Sequence, residues 1–393
     1  MVTYPKDWTD TTLGKLGNVK MCKRIFQSQT HPSGQIPFYK IGTFGGTADA
    51  YISRELYEAY KEDFPFPNQG DVLISAAGTI GRTVVYDGKD AYFQDSNIVW
   101  LDVNPDEVDR KFLMYFYQSY PWLNLEGTTI SRLYNGIIQG TPIHLPPLQE
   151  QKAIAATLSA FDNHVANLAE LIEKKKAIRD GALEDLVSGR TRLAGYTEPW
   201  SESCLGSIGT FTKGAPLSKA HISNTGTPFI LYGELYTTYR EVTYKVYRRT
   251  EESADEAHYS RVGDVIIPTS GETAEEIATA CCVMIPGVIL AGDLNIYRSP
   301  ELDGRFLSYV IKHIVNQQIS ELSQGISIIH INAKTLKKIV VRYPKHEEQS
   351  AIADIIDTMD TEISVLEDER DKMTQIREGV MDDLLTGRVR LEA

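Results

Sequence analysis

Two stretches of the chain carry a narrow stripe of apolar residues. The stripe recurs at steps of three and four residues over 154–186, and the same spacing returns over 352–384. A narrow stripe with a period of about 3.5 residues is typical of a coiled-coil seam. The predicted seam consists of Ile154, Leu158, Phe161, Val165, Leu168, Ile178, Ile352, Ile356, Met359, Ile363, Leu366 and Ile376. A surface helix packed on its own domain is the less favoured alternative, because a stripe of roughly nine turns is long for such a helix.

Both stripes have helix signals at their ends. Prolines stand before them at positions 146, 147 and 344, where a proline stops a strand and starts a helix. Gly189 and Gly387 follow the last apolar positions, where a helix C-terminus favours glycine. The sequence therefore predicts that each stripe forms one uninterrupted helix.

A polar residue interrupts each stripe, Lys175 in the first and Arg370 in the second. If the two helices run antiparallel about a two-fold axis, the numbers of facing residues add up to about 538. This pairing places Lys175 by Ile363 and Arg370 by Leu168, so that each polar group faces an apolar one and its stem can extend outward.

The two stripes belong to an internal duplication. EQKAIA at 150–155 returns as EQSAIA at 348–353, and LVSGRTRL at 186–193 returns as LLTGRVRL at 384–391. Both repeats are shifted by 198 positions, so the duplicated region has no gap. The chain therefore divides into diverged segments, 1–146 and 195–345, and well-kept segments that follow each of them, 147–194 and 346–393.

The diverged segments mix strand and helix patterns. Apolar runs at 71–80 and 264–271 predict strands that end in small-residue loops, and the spacing over 110–123 and 304–319 predicts helices. TVVYDGKDAYF and CCVMIPGVILA predict hairpins with Asp-Gly and Pro-Gly turns. The predicted fold class is α+β, with two mixed α/β domains separated by an antiparallel coiled coil and related by a pseudo-two-fold repeat.

Composition and charge change this picture only slightly. Apolar residues make up 42% of the chain and charged residues 24%, as in globular proteins. The formal net charge of −13 divides into −3, 0, −1 and −9 over the four segments in chain order. Because most of the negative charge lies in 346–393, each diverged segment could still present a basic face to nucleic acid.

The sequence favours a cytoplasmic protein. The four cysteines form no CxxC pair and no metal spacing, which predicts reduced, buried thiols. The N-terminus shows no basic start followed by an apolar run, so no secretory signal is expected. The most apolar stretch, 277–292, is too short to span a bilayer and is broken by Pro286-Gly287, so we expect two strands there.

Enzyme signatures are mostly absent from the sequence. No GxGxxG follows a strand, no GxxxxGK[ST] occurs, and HEEQS at 346–350 differs from HExxH. An amino-group DNA methyltransferase would need an Asp/Asn-Pro-Pro-aromatic loop, but the Pro-Pro pair here is flanked by leucines. We therefore expect no catalytic residue, no metal and no cofactor in this chain.

Signals for nucleic-acid binding lie in the diverged segments. Residues 231–250 interleave five tyrosines with four cations, which suits phosphate and groove contacts, although an exposed amphipathic strand explains them equally well. Loops at 75–82 and 127–136, with counterparts at 268–272 and 325–334, hold small residues, hydroxyls and cations, but ordinary turns have this composition too. The candidate DNA contacts are Thr79, Arg82, Thr128, Ser131, Arg132, Asn135, Tyr239, Arg240, Arg248, Ser270, Ser327, His330 and Lys334.

The whole arrangement resembles the specificity subunit of Type I restriction-modification systems. The resemblance is strongest in LPPLQEQKAIAATLSAFDNHVANL, in RDGALEDLVSGRTRL with its second copy at 346–391, and in GTTISRLYNGIIQGTPIHLPP. It covers essentially the whole chain and is looser in the diverged segments. The second copy departs from the pattern in reading YPKHEEQ where the first reads LPPLQEQ.

The resemblance implies a non-catalytic targeting subunit. In such a subunit, target-recognition domains at 1–146 and 195–345 would each read one half of a bipartite double-stranded DNA site, and spacer helices at 147–194 and 346–393 would hold them apart. Two methylation subunits that bind S-adenosylmethionine would attach to this scaffold, and restriction subunits could join them. The alternatives are an adaptor whose variable domains bind proteins and a methyltransferase-fused enzyme.

Overall fold

The computed structural model describes residues 4–122, 132–323 and 329–391, which fold into two compact units. Unit 1 comprises Met1–Ala169 and Asp368–Ala393, and unit 2 comprises Glu170–Glu367. Each boundary between the units falls inside a long helix. Each unit therefore contains one diverged segment together with part of both long helices.

Unit 1 contains short strands and helices, the first part of one long helix and the last part of the second long helix. Its strands are β1 (Thr9–Thr12), β2 (Gly17–Lys20), β3 (Ile36–Tyr39), β4 (Tyr51–Ile52), β5 (Val72–Ser75), β6 (Thr83–Val85), β7 (Tyr92–Phe93), β8 (Ile98–Val103) and β9 (Pro142–Leu145). Its helices are α1 (Leu13–Leu16), α2 (Arg54–Asp63), α3 (Arg110–Ser119), α4 (Asn135–Gly140) and the first part of α5 (Leu148–Ser188).

The main sheet of unit 1 has the strand order β2-β8-β5-β6 and is antiparallel throughout. Its inner strand β5 is buried along its whole length because alternate side chains point into two different clusters. Val72 and Ile74 pack with helix α3 residues such as Phe112, whereas Leu73 packs with the second sheet. That second sheet has the order β4-β3-β7, and β1 pairs separately with β9.

Unit 2 contains a similar set of elements. Its strands are β10 (Ser201–Cys204), β11 (Thr210–Lys213), β12 (Thr227–Leu231), β13 (Val242–Thr243), β14 (Arg248–Thr250), β15 (Asp264–Pro268), β16 (Ser270–Gly271), β17 (Cys281–Val283), β18 (Ile289–Ala291), β19 (Leu294–Arg298), β20 (Ile329–His330) and β21 (Val340–Tyr343). Its helices are the second part of α5, α6 (Leu205–Ile208), α7 (Ala274–Ile277), α8 (Gly304–His313), α9 (Asn316–Leu322), α10 (Ala333–Leu336) and the first part of α11 (His346–Leu385).

The sheets of unit 2 repeat the strand order of unit 1. The order β11-β19-β15-β17 corresponds to β2-β8-β5-β6 and is extended by β13, while β14-β12-β18 corresponds to β4-β3-β7. The pair β10-β21 corresponds to β1-β9. The predicted fold class, with mixed α/β domains, two long helices and an internal repeat, is therefore confirmed.

The two predicted hairpins are wrong, although their turns exist. Gly88 and Gly287 both have positive φ, at 86° and 78°, as the turns require. Strand β6 pairs with β5, but β7 leaves for the second sheet and lies parallel to β3. In the same way β17 pairs with β15, whereas β18 lies parallel to β12. Each turn therefore carries the chain from one sheet to the other.

The long helices begin and end as the sequence predicts. Helix α5 starts directly after Pro147, and α11 starts two residues after Pro344. Gly189 and Gly387 follow the helices with φ of 74° and 70°, a conformation that favours glycine at a helix C-terminus. In the described ranges, no helix combines the length and the apolar character that crossing a membrane requires.

Within each unit the two helices pair antiparallel. In unit 2, Lys175 Nζ lies 2.7 Å from Glu362 Oε1, and these residue numbers add up to 537. In unit 1, Arg377 Nε lies 2.8 Å from Asp162 Oδ1, a pair whose numbers add up to 539. Both values match the predicted antiparallel register. The polar interruption at Lys175 is thus satisfied by a carboxylate on the facing helix.

Most of the predicted seam is buried or half-buried. The buried positions are Ile154, Leu158, Leu168, Ile352, Ile356 and Ile363, and the half-buried positions are Phe161, Val165, Met359 and Leu366. The seam prediction is wrong at two positions, because Ile178 is 60% exposed and Ile376 is 38% exposed. The next residue in each helix, Arg179 or Arg377, turns inward in their place.

These two arginines form equivalent clusters because each finds a carboxylate and an aromatic ring. In unit 1, Arg377 pairs with Asp162 and lies 5.7 Å from the ring of Tyr115. The hydroxyl of Tyr115 donates to Asp162 at 2.7 Å, and burial raises the pKa of this tyrosine to about 12. In unit 2, Arg179 donates to Asp360 at 3.1 Å and lies over the ring of Tyr309. A buried apolar residue could not satisfy these polar neighbours.

A buried glutamine joins each diverged segment to its helix. Gln151, fully buried, donates from Nε2 to the carbonyls of Pro146 at 2.9 Å and Glu107 at 3.1 Å, and its Oε1 accepts from Asp109 N at 2.8 Å. Asp109 in turn caps the N-terminus of α3. Because one side chain bonds the segment before α3 and the proline before α5, it fixes how the two helices meet.

The same glutamine network recurs in unit 2. Gln349 donates to the carbonyls of Pro344 at 2.9 Å and Glu301 at 3.0 Å, and it accepts from Asp303 N at 2.8 Å. Asp303 caps α8, the counterpart of α3. The repeated letters EQ thus correspond to a repeated hydrogen-bond network.

The glutamate before each glutamine binds an arginine from the end of the other long helix. In unit 1, Arg390 donates to Glu150 at 2.6 Å, and Glu150 also accepts from the indole of Trp8 at 3.1 Å. In unit 2, Arg192 makes two bonds of 2.6 Å to Glu348. Each bidentate pair ties the residues after one helix to the first turn of the other, within the same unit.

Unit 2 has an additional buried charge cluster around Glu241. This carboxylate is 4% exposed and shares a hydrogen bond of 3.0 Å with His313, while Lys312 Nζ lies 3.1 Å and Arg179 Nη2 lies 3.4 Å away. Burial alone would raise the pKa of Glu241, but the hydrogen bond and the two cations outweigh it and hold that pKa below its ordinary value.

The cysteines are free thiols, and Cys22, Cys281 and Cys282 are buried as predicted. Burial raises the pKa of Cys22 to about 12. The prediction is wrong for Cys204, which is exposed at the end of β10.

Candidate nucleic-acid interface

In unit 1, two of the predicted DNA-contacting loops lie side by side. Ala77 forms an antiparallel bridge with Arg132, and the backbone N–H of Leu133 donates to the carbonyl of Ala76 at 2.8 Å. The backbone therefore holds residues 75–82 against residues 132–135, an arrangement that we call the loop pair of unit 1. Thr79 and Asn135, also predicted, are both exposed on it.

Arg82 links this loop pair to a third loop. Its Nη1 donates to the carbonyl of Phe44 at 2.9 Å, and its backbone N–H donates to the hydroxyl of Ser75 at 2.9 Å. Among the described residues no carboxylate forms an ion pair with Arg82, whose side chain remains exposed. Gly81 turns the chain here with φ of 83°, and a Cβ at this position would lie 2.5 Å from the ring of Trp122. The loop is therefore rigid next to an available cation.

Arg132 stabilises an unusual backbone conformation. Its Nη2 donates at 2.9 Å to the carbonyl of Ser96, which has φ of 55° and is the non-glycine residue with positive φ in the described part of the chain. Its guanidinium also lies 6.0 Å from the ring of Tyr134, which is 65% exposed. A non-glycine residue with positive φ is strained, and it persists only where the surrounding structure holds it. Such residues are concentrated at functional sites. Neither Ser96 nor Tyr134 belongs to a distinctive motif, so the sequence alone does not mark them as site residues.

Unit 2 has the corresponding loop pair. Ser270 bridges His330, as Ala77 bridges Arg132, so His330 takes the place of Arg132 in the repeat. His330 is exposed, and so is Lys334 in the single turn of α10, where Asn332 caps the helix. Ser270 itself is 7% exposed, which restricts any contact to its neighbours. We call residues 268–273 and 329–334 the loop pair of unit 2.

The tyrosine- and arginine-rich stretch at 231–250 is divided among different environments. Arg248 donates to the buried Glu234 at 2.8 Å, and Arg240 lies 3.9 Å from Glu367 on α11. The prediction that Tyr239 contacts DNA is wrong. This residue is 8% exposed and belongs to the core, where burial raises its pKa to about 12. A buried ring has no face to offer to a base, so we remove Tyr239 from the candidate contacts.

The remaining candidates lie outside the described residues. These are Thr128, Ser131 and Ser327. Across the residues that the structure describes, no group of three or more His, Cys, Asp and Glu side chains is arranged to hold a metal ion.

Comparison with known proteins identifies the family. The model of the Type I restriction modification DNA specificity domain matches twice, over residues 5–176 and 197–375. A provisionally named type I restriction enzyme specificity subunit of Haemophilus influenzae is 52% identical over 158 residues, which are 40% of this chain and 41% of that protein. The type I restriction enzyme MjaVIII specificity subunit of Methanocaldococcus jannaschii is 22% identical over 353 residues, 83% of this chain and 80% of that one.

Solved structures agree on the fold. The crystal structure of a Type I restriction-modification S subunit from M. genitalium has a TM-score of 0.60 at 20% identity and covers 98% of this chain and 97% of its own. A chain from a structure of the type I R-M system has a TM-score of 0.57 at 16% identity, covering 98% and 100%.

The fold and the repeated loop pairs define a duplicated protein with two recognition domains of one design. The match over most of its length shows that the chain belongs to the Type I restriction modification DNA specificity family. It acts as a DNA sequence-specificity subunit, as the resemblance found in the sequence predicts.

Proposed function

We propose that the chain reads a bipartite double-stranded DNA target, with one half-site recognised by the diverged segment of each unit. The observation that carries this proposal is the repetition of the loop pair, through the Ala77–Arg132 bridge in unit 1 and the Ser270–His330 bridge in unit 2. The same backbone frame presents an arginine in one unit and a histidine in the other. Different side chains on equivalent frames suit two half-sites of different sequence.

The exposed and half-buried polar groups of the loop pairs are suited to DNA. A guanidinium can bond guanine or a phosphate with two parallel hydrogen bonds, and Arg82 and Arg132 provide this group in unit 1. In unit 2, Lys334 supplies a point charge, and His330 supplies a ring with two nitrogens. We assign these side chains, together with Thr79 and Asn135, to the DNA interface.

We further propose that the long helices carry two methylation subunits, which bind S-adenosylmethionine, and that restriction subunits join the same assembly. Several apolar side chains of the helices are exposed, among them Ile178 at 60% and Val365 at 59%. The segment 346–393 also carries a net charge of −9. Exposed apolar side chains beside acidic ones favour a protein partner with basic residues around an apolar contact.

On this proposal the chain contributes recognition, and its partners contribute the methyl transfer. The purified chain, incubated with DNA and S-adenosylmethionine, should transfer no methyl group, whereas the complex with the methylation subunits should. Methyl transfer by the isolated chain, with partner contamination excluded, would contradict this division of roles.

The main test is to map methylated bases in the DNA of cells that carry the system, and then to measure binding of the purified complex to that motif. We expect a two-part motif with an unread gap, and an affinity that falls linearly with the logarithm of salt concentration. If the diverged segments bind proteins instead of DNA, replacing them will leave the methylated motif unchanged, and the proposal fails.

A further inference from the structure

Unit 2 contains a groove outside its loop pair. It has a volume of about 730 Å³ and is lined by residues 213–220, 231–233 and 292–293. This volume falls within the range of roughly 300–1,000 Å³ that ligand-binding clefts occupy. The lining residues are all described, and they combine two lysines with a tyrosine, small residues and one carboxylate.

The backbone of the groove is held in place. Ala215 forms a parallel bridge with Ala291, and the N–H of Gly292 donates to the carbonyl of Ala215 at 2.9 Å. A Cβ on Gly214 would lie 2.8 Å from the carbonyl oxygen of Gly292, so the two chains approach as closely as glycine allows. The groove is therefore a formed feature of the domain, and its side chains project from fixed positions.

The two lysines are available to an anion. Lys213 ends β11 opposite Asn295, and Lys219 begins a single 3-10 turn that Ser218 caps. Both lysines are exposed, and neither forms an ion pair with any described residue. The carboxylate of the lining, Asp293, is exposed as well, so the groove carries an excess of positive charge.

The corresponding place in unit 1 is neutralised. Lys20, which ends β2 as Lys213 ends β11, forms an ion pair of 2.5 Å with Asp102. Asp95, the counterpart of Asp293 in the repeat, forms an ion pair of 2.9 Å with Arg24. Free cations at this place are therefore a property of unit 2 and do not follow from the shared fold.

The groove adjoins the loop pair of unit 2. The carbonyl of Asp293, in the groove wall, accepts from the N–H of Thr269 at 2.8 Å, and the carbonyl of Thr269 accepts from the N–H of Ile331 at 2.9 Å. Two backbone hydrogen bonds thus connect the groove to the loop that carries His330 and Lys334. A polyanion bound at that loop pair would meet the groove next.

We propose that this groove binds the sugar-phosphate backbone of the half-site that unit 2 reads, with Lys213 and Lys219 each contacting a phosphate. The inference rests on the proposed function, because it takes DNA as the ligand of the adjacent loops. Phosphate contacts carry no sequence information. The groove therefore adds affinity and salt dependence on the side of unit 2, and the recognised sequence does not depend on it.

The test uses the complex with its methylation subunits and DNA that contains the mapped target. The double variant Lys213→Ala/Lys219→Ala should make the salt dependence shallower: the magnitude of the negative slope of log affinity against log salt should fall by about 2, since each phosphate contact contributes about 0.9. The methylated motif should stay the same. Phosphate-ethylation interference should lose its signals on the half-site of unit 2 and keep those on the other half-site.

The unit 1 counterparts provide a matched control. Lys20→Ala/Arg24→Ala removes the same charge from cations that are already paired, so we expect the slope to change much less. Lys213→Arg/Lys219→Arg should restore the wild-type slope. An unchanged slope in the alanine variant of unit 2, with target binding intact, overturns the inference. An unchanged slope with weaker attachment of the methylation subunits also overturns it, and assigns the groove to a protein. If the wild-type complex does not bind the mapped DNA, the proposed function itself fails.

Discussion

Replacing Gln151 by Met should destabilise unit 1 and leave unit 2 unchanged. The side chain is fully buried, and methionine keeps nearly the same volume, so the change removes hydrogen bonds without opening a cavity. Three backbone groups lose their partners: the carbonyls of Pro146 and Glu107 and the N–H of Asp109. Each buried group left unsatisfied costs about 1–3 kcal/mol.

The sum for three groups would reach about 9 kcal/mol, but two of the three bonds are only partly buried, and water can satisfy part of what is lost. We therefore expect the free energy of unfolding of unit 1 to fall by about 3–5 kcal/mol, at the upper end of what single substitutions do. Gln349→Met should lower the free energy of unfolding of unit 2 by the same amount within about 1 kcal/mol, because its bonds have equivalent partners and nearly equal lengths.

Hydrogen exchange followed by mass spectrometry can measure both effects, because peptides report on each unit separately. The control is Lys152→Met, which changes the exposed neighbour in the same helix and should shift stability by less than about 0.5 kcal/mol. If Gln151→Met costs less than about 1 kcal/mol, or if it loosens unit 2 as much as unit 1, the buried network does not join the diverged segment to its helix.

Three further predictions concern recognition, pH and spacing. Arg132→Ala should weaken binding of the assembled complex to DNA by about 1–3 kcal/mol. If Arg132 reads a base, the sequence preference should change at one position; if it contacts a phosphate, the loss should be uniform across sequences and the salt slope smaller. No effect in a binding titration would remove Arg132 from the interface. Glu241→Gln should destabilise unit 2 at pH 7 by about 3–5 kcal/mol. Folding lowers the pKa of Glu241, so the contribution of this carboxylate to stability is complete above its ordinary pKa of 4.5 and is lost as the pH falls below that value. The urea midpoints of wild type and variant should therefore converge in acid, and midpoints that stay apart would contradict the reasoning. Inserting seven residues by Glu170 and by Asp368 keeps the 3.5-residue seam and lengthens each helix by about 10 Å. The methylated motif should therefore keep both half-sites and widen its gap by about three base pairs. Methylation with the original gap would show that the helices do not set the spacing.

The helices could be predicted closely because their evidence is local. A period of about 3.5 residues, flanking prolines and a following glycine all lie within the segment itself. The seam prediction failed where the period alone could not decide which of two adjacent residues points into the seam. Ile178 and Arg179 are adjacent, and the choice depends on Asp360 and Tyr309, which no periodicity in the helix reveals.

The sheets were harder to predict because strand pairing is not local. The turn at Pro286-Gly287 is real, but β17 and β18 join different sheets, and β18 finds its partner β12 about sixty residues earlier. The same difficulty affected the interface. Tyr239 lies in an alternating polar and aromatic stretch, and the sequence gives no sign of which face of that stretch the core covers. The loop pairs were found because their composition, with small residues and a cation, reflects a local requirement for close backbone approach.

The internal repeat also shows which contacts the fold cannot vary. Equivalent apolar positions differ freely between the copies, as Phe161 and Met359 or Val165 and Ile363 do, since several hydrophobic side chains can fill one seam. Gln151 and Gln349 are identical, because a glutamine that donates twice and accepts once has no apolar substitute and no polar one of the same reach. A network of this kind depends on backbone groups rather than on neighbouring side chains. The diverged segments can therefore change their loops, and with them the DNA sequence they are proposed to read, while the junction with the helix stays the same.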